Sequence, residues 1–206
     1  LLASGHEVVV LAPFDGYENE VSSWGCKLSD LKMDPVAINP IKIILLLRQF
    51  HKKINIIQPD MILSFTIKNN VFGGIVARFK SIPFVPNITG LGTAFTSSTI
   101  LIKVLTKLLC RIAFNKNEII FFQNSDDKSL FQNLGIVSSK HAFVIPGSGI
   151  DLDAYKFCKL QNDDNPLFVM ISRLIKDKGA EEFLDASRIV KKLNPNAKFL
   201  LVGSYD

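Results

Sequence analysis

Cysteine is scarce in this chain. Cys26, Cys110 and Cys158 form an odd, widely spaced set with no CxxC pair. That excludes a thiolate zinc motif and reads as reduced thiols of a cytosolic protein, buried rather than reactive. Histidine is as sparse. His6 opens a strand, His51 lies in RQFHKK on an exposed helix face, and His141 precedes a strand. None has the spacing of a metal site or a catalytic triad, so no metal is expected. Long apolar runs are missing too. Ile43–Leu47 is stopped by Arg48, far short of the ~20 residues of a spanning helix, and the residues present show no leader pattern. The largest deficit is of acid. From Leu31 to Lys116 only Asp34 and Asp60 oppose twelve basic residues, a local excess of ten in a chain of net charge +5. A field of that sign suits an anionic membrane surface or a phosphorylated ligand. No zinc-finger spacing, RNP-like motif or basic tail points to nucleic acid.

What is present is apolar sequence in short, regularly spaced blocks. The 206 residues are 48% hydrophobic, enough for a sizeable core and one or two domains. Glu7–Leu11, Met61–Phe65, Phe84–Ile88, Glu118–Phe122, Ala142–Ile145, Leu167–Ile171 and Lys198–Val202 read as strands. Asn69–Phe79, Ile100–Phe114 and a short segment capped by Asn124 or Ser125 and ended by Gly135 read as helices. The alternation predicts an α/β fold with parallel sheets, and continuous runs such as EIIFF predict strands covered on both faces. Composition shifts at Pro146-Gly147-Ser148-Gly149 and again over the polar stretch Lys159–Pro166. A boundary therefore falls between a domain of residues 1–150 and a linker with the start of a second domain, residues 151–206. Leu1–Ser4 reads as a last helical turn closed by Gly5, and Lys198–Val202 as a strand with almost nothing after it. Both ends are those expected of an internal or truncated segment.

The segment Leu167–Gly179, LFVMISRLIKDKG, places Arg173 and Lys178 between a strand's carboxyl end and a helix amino end. Free N–H groups and the helix dipole add positive potential there, which suits an anion. In open α/β sheets that edge is where ligands bind. A solvated basic loop would show the same spacing.

Four segments then carry a resemblance: GHEVVVLAP (5–13), QNSDDKSLFQNLGI (123–136), VIPGSGIDLDAY (144–155) and SRLIKDKG (172–179). In this order they resemble the family 4 retaining glycosyltransferases, enzymes of two Rossmann-like domains, the GT-B fold. SFTIKNNVFGG (64–74) and NITGLGTAFTS (87–97) resemble the subgroup that builds capsule, O-antigen or related glycans on a lipid carrier. The resemblance implies a complete first domain apart from its first strand, and only the opening of the second. It implies a sugar, an N-acetylhexosamine, moved with anomeric retention from a nucleotide-diphosphate sugar to a polyprenyl-diphosphate-linked glycan. It implies no cofactor beyond that donor substrate, and a cytoplasmic enzyme peripheral on the inner face of the plasma membrane.

The same resemblance assigns Arg173 and Lys178 to the donor diphosphate and leaves Lys176 facing solvent. Thr89, Gly90 and Gly92 of TGLG, with Thr66, Lys68 and Asn69, are candidate cleft-lining residues. A tight turn would equally explain the glycines, and helix capping the Thr and Asn. Many family members carry His where Thr89 stands, so no catalytic residue carries over. Asp151 reads as a turn residue. The helix Ile100–Phe114 spaces Lys103, Lys107 and Arg111 four apart beside Leu101, Leu105, Leu108, Leu109 and Ile112. It reads either as a membrane-lying helix or as an ordinary domain helix with a solvated basic face. The family's glycine-rich loop would precede Leu1 and its E-x7-E motif would follow Asp206, so residues 1–206 are expected to be inactive alone. The alternative is a truncated, non-catalytic module that binds membrane or a partner subunit.

Overall fold

A computed structural model describes residues 1–33, 40–91, 100–115, 117–159 and 165–204. The chain divides into two compact units, Leu1–Gly149 and Ile150–Asp206, against an expected boundary one residue later.

The first unit opens with a 3₁₀ turn, Leu2–Ser4, closed by Gly5 in the left-handed region. Strands β1 (Val9–Ala12) and β2 (Lys27–Asp30) follow, joined through helix α1 (Glu18–Ser23) and paired in parallel from Val9↔Lys27 to Ala12↔Asp30. Sequence patterning missed α1 and β2. The strand KLSD has no apolar alternation, and its pairing with β1 is what makes it a strand. Helix α2 (Pro40–Ile57) was also unassigned beyond its apolar run and the face carrying His51.

Then come β3 (Ile62–Phe65), α3 (Ile67–Phe79), β4 (Phe84–Ile88), α4 (Ile100–Phe114), β5 (Ile120–Phe122), α5 (Ser125–Asn133) and β6 (Ala142–Val144). Strands β3 to β6 form one parallel sheet in sequence order. The helices lie where side-chain size permits. A Cβ on Gly74 of α3 would stand 3.0 Å from the Phe84 ring and 3.3 Å from the Ala113 Cβ, so the glycine lets α3 approach both β4 and α4 closely. Gly73 faces Phe50 of α2. Helix α3 thus sits between α2 and α4, and it is buried from Asn70 to Ala77. Arg78 ties it to α4 by donating to the Ile112 carbonyl at 2.7 Å. Phe131 of α5 packs edge-on against Phe122 of β5, with ring centroids 5.4 Å apart. Asn124 caps α5, its Oδ1 accepting from the Asp127 N–H at 2.7 Å.

Strand residues alternate between faces, and Phe84, Ile88, Ile120, Phe122 and Ala142 are buried on the side that carries α3 and α5. On the other side Leu63, Phe65 and Phe143 are exposed. Beside them Asn87 is buried and Val85 and Phe121 are half-buried, so among the described residues that face is open only in part.

In the second unit β7 (Leu167–Ile171) and β8 (Lys198–Val202) pair in parallel through helix α6 (Ala180–Leu193). Phe199 stacks on Phe168 at 5.0 Å and meets Phe183 of α6 edge-on at 5.9 Å, which seats the helix on the strands.

Candidate functional site

In the first unit the candidate residues gather at the carboxyl ends of β3 and β4. Thr66 follows β3 directly and is the N-cap of α3, with φ 68° and ψ 147°. A β-branched residue at positive φ is strained, and such strain concentrates at functional sites. Its side chain makes no capping bond, so capping does not account for the residue. Lys68 and Asn69 stand half-buried in the first turn of α3. Thr89 is exposed after β4, and Gly90 is half-buried with nothing within 4 Å of where its Cβ would lie. Among the described residues, then, no backbone approaches Gly90 closely. Gly92 lies outside the described residues.

Sequence reasoning missed two neighbours at this edge, Asn70 and Asn87. Asn70 is fully buried, and its Nδ2 donates to the Asn87 carbonyl at 2.8 Å, pinning the first turn of α3 to the end of β4. The buried Oδ1 atoms of Asn69, Asn70 and Asn87 accept no hydrogen bond among the described residues. A buried acceptor left unpaired costs roughly 1–3 kcal/mol. The available signal was NN at the entry of a helix whose next turns are apolar.

In the second unit Arg173 is exposed one residue beyond Ser172, at the carboxyl end of β7. Lys178 ends a 3₁₀ turn, Lys176–Lys178, and is also exposed. Gly179 follows with φ 81°, a left-handed conformation that favours glycine, and serves as N-cap of α6 without a side-chain acceptor. A glycine N-cap offers the first N–H groups of α6 no capping side chain of its own. Lys176 lies 3.7 Å from Glu181 in an exposed ion pair, whereas Lys178 makes no ion pair among the described residues. Glu181 and Glu182 in the first turn of α6 set negative charge beside the two cations Arg173 and Lys178.

The loop that carries Arg173 is held by β8. Ser172 N donates to Val202 O at 3.0 Å and Leu174 N to Ser204 O at 2.9 Å. Between these bonds Gly203 lies so close that a Cβ there would stand 1.8 Å from the Ser172 carbonyl oxygen. Sequence reasoning missed this glycine as well; its position directly after an apolar strand was the signal.

The other candidates take structural places. Asp151 Oδ1 accepts from the N–H groups of Asp153 (2.8 Å) and Ala154 (3.2 Å), closing a turn. His141 Nδ1 bonds the Glu118 carbonyl at 2.9 Å. Arg111 donates to the carbonyls of Gly135 (2.9 Å) and Leu134 (3.0 Å), completing the end of α5. Cys110 is buried, and desolvation pushes its thiol up to about 12. No described helix is long and apolar enough to cross a membrane.

Against known proteins, residues 1–124 match the model of the family described as glycosyl transferase 4-like. A Campylobacter jejuni N,N'-diacetylbacillosaminyl-diphospho-undecaprenol alpha-1,3-N-acetylgalactosaminyltransferase is 26% identical over 216 residues, covering 97% of this chain and 56% of its own. Among solved structures, Anabaena HepE in complex with UDP and glucose superposes with a TM-score of 0.65 at 18% identity, over 96% of this chain and 54% of that one. Sucrose-phosphate synthase from Thermosynechococcus elongatus gives 0.68 at 16% identity, over 100% and 54%. The structures share the fold, and the chain spans about half the length of these relatives. With its parallel α/β units, and with the family model covering more than half of its residues, the chain belongs to the glycosyl transferase 4-like family.

Proposed function

We propose that the protein of which these residues form part transfers an N-acetylhexosamine from a UDP-type sugar to a polyprenyl-diphosphate-linked glycan, with retention at the anomeric carbon. Arg173 and Lys178 hold the donor diphosphate, and the β3–β4 edge with Thr66, Lys68, Asn69, Thr89 and Gly90 lines the cleft. The observation that carries this reading is the β7–turn–α6 arrangement in a chain of this family: two exposed cations at a strand end, beside a helix amino end without a side-chain cap. Charge grows on the diphosphate as the glycosidic bond breaks. Cations already in place stabilise it, and the departing diphosphate itself takes the acceptor's proton. No cofactor enters. The enzyme works on the inner face of the plasma membrane, where the basic field of the first unit meets anionic lipid.

The test is calorimetric binding of a UDP-sugar panel to the full-length protein, wild type beside Arg173→Ala and Lys178→Ala. Saturable binding that each substitution weakens tenfold or more supports the assignment. Binding that neither substitution changes refutes it.

A further inference from the structure

Helix α2 buries one apolar stripe and exposes another. Leu46, Phe50 and Ile54 recur at four-residue spacing and pack in the core. On a second stripe, Ile41, Ile44 and Leu45 are 67%, 51% and 49% exposed. The same stripe continues through Arg48 and Lys52, both exposed, because residues three and four apart share a helix face. Neither cation makes a hydrogen bond or ion pair among the described residues. Their neighbours do: Lys53 donates to Ser29 Oγ at 3.0 Å and Lys80 to Asn55 Oδ1. Beside the stripe lies a groove of about 280 Å³ between α2 and α3. Ile44, Leu47, Val76 and Phe79 line it, with Arg48 and His51 as polar lining. Phe79, at the end of α3, is 83% exposed.

We propose that this α2–α3 face is the surface by which the protein seats on an anionic bilayer, with the groove taking part of one lipid hydrocarbon chain. The inference rests on the membrane placement proposed above and names its contact. Three observations select a bilayer. The first is charge: Pro35–Pro59 contains no Asp or Glu and four Lys or Arg, so the face meets only anionic partners without repulsion. A second copy of the chain would bring cations to cations. The second is order along the helix. Three apolar residues precede two cations on one stripe, so the first two turns enter the acyl boundary while Arg48 and Lys52 reach headgroup phosphates. The third is groove size, just below the range of small-molecule pockets and lined mainly by apolar side chains. Helix α4, the sequence-level candidate for this role, is less suited. Its Arg111 is spent on the end of α5.

The experiment is sedimentation of the full-length protein with vesicles of phosphatidylglycerol mixed with phosphatidylcholine, and with vesicles of phosphatidylcholine alone. The variants are Ile44→Glu with Leu45→Glu, Arg48→Gln with Lys52→Gln, and Val104→Glu with Leu108→Glu on α4. Binding to the mixed vesicles is expected, with the charge-removing pair weakening it roughly thirty-fold, the α2 glutamates abolishing it, and the α4 glutamates changing it less than either. The same variants are melted and titrated with UDP-sugar in the absence of vesicles. Unchanged melting and donor binding show that the lost partition is not lost folding. They also keep a failure of the donor site distinct from a failure of this face. Wild type that ignores anionic vesicles overturns the proposal. So does partition indifferent to the α2 substitutions, or vesicle-free self-association that Ile44→Glu abolishes.

Discussion

Replacing Gly203 by alanine separates the chemistry proposed for the Arg173 loop from its scaffold. The alanine Cβ would stand 1.8 Å from the Ser172 carbonyl oxygen and 2.8 Å from its carbonyl carbon. Both are backbone atoms that cannot rotate away. To reach an ordinary contact, the ends of β7 and β8 must part by more than about 1 Å. That stretches the bonds from Ser172 N to Val202 O and from Leu174 N to Ser204 O, now 3.0 and 2.9 Å. Two backbone hydrogen bonds are together worth about 1–3 kcal/mol net. Arg173 lies between the two donor nitrogens and moves with them. A displacement of that size at a positioning group costs about 10²-fold. Gly203→Ala is therefore expected to weaken UDP-sugar affinity by roughly ten- to a hundred-fold, approaching Arg173→Ala while leaving every cation in place. It should also lower the melting temperature by several degrees, since about 1 kcal/mol shifts a domain of 60–100 residues by roughly 4–8 °C. Calorimetry and a thermal melt on the same preparations read both. Donor affinity within twofold of wild type, with an unchanged melt, would refute the close approach and the role given to it.

Two further outcomes follow from the first unit. Desolvation pushes the buried Cys110 thiol up from 9.0 to about 12, so the folded state holds a proton that the unfolded chain releases. Stability is then full below about pH 9 and falls by up to ~1.4 kcal/mol per pH unit above it, levelling near 12. Denaturant melts of Cys110→Ala beside wild type across that window should show a shallower fall, and alkylation at pH 8 should reach exposed Cys158 well before Cys110. Gly74→Ala should cost about 1–3 kcal/mol by overpacking against Phe84 and Ala113. Gly73→Ala, whose Cβ meets only ordinary contacts of 3.5 Å or more, should be neutral or stabilise by up to ~1 kcal/mol through helix propensity. Chemical denaturation of the two variants side by side decides it.

The βα rhythm was legible because its signals are local. LFVMI and EIIFF are apolar blocks of strand length, and Asn124 and Gly135 bracket α5 by capping chemistry that needs no distant partner. The pair proposed for the donor stands out in the sequence for the same reason, since Arg173, Lys178 and Gly179 lie within seven residues of one strand–turn–helix. Asn70, Asn87 and Gly203 were not. Asn70 matters through a carbonyl seventeen residues away, and Gly203 through a carbonyl of the neighbouring strand. Nothing beside either residue in the chain announces that contact. Strand β2 was hidden because KLSD carries no pattern and takes its conformation from pairing with β1.

By itself, then, the sequence determined the order of strands and helices from β3 onward, the basic field across the first unit and the cations at the entry of α6, because propensity, capping and charge act over a few residues. Tertiary structure alone decided which faces are covered. It left Leu63, Phe65 and Phe143 bare on one side of the sheet, committed Arg111 to the end of α5, and gave α2 a second, exposed apolar stripe. Burial is a property of what packs against a surface, and those partners come from distant parts of the chain.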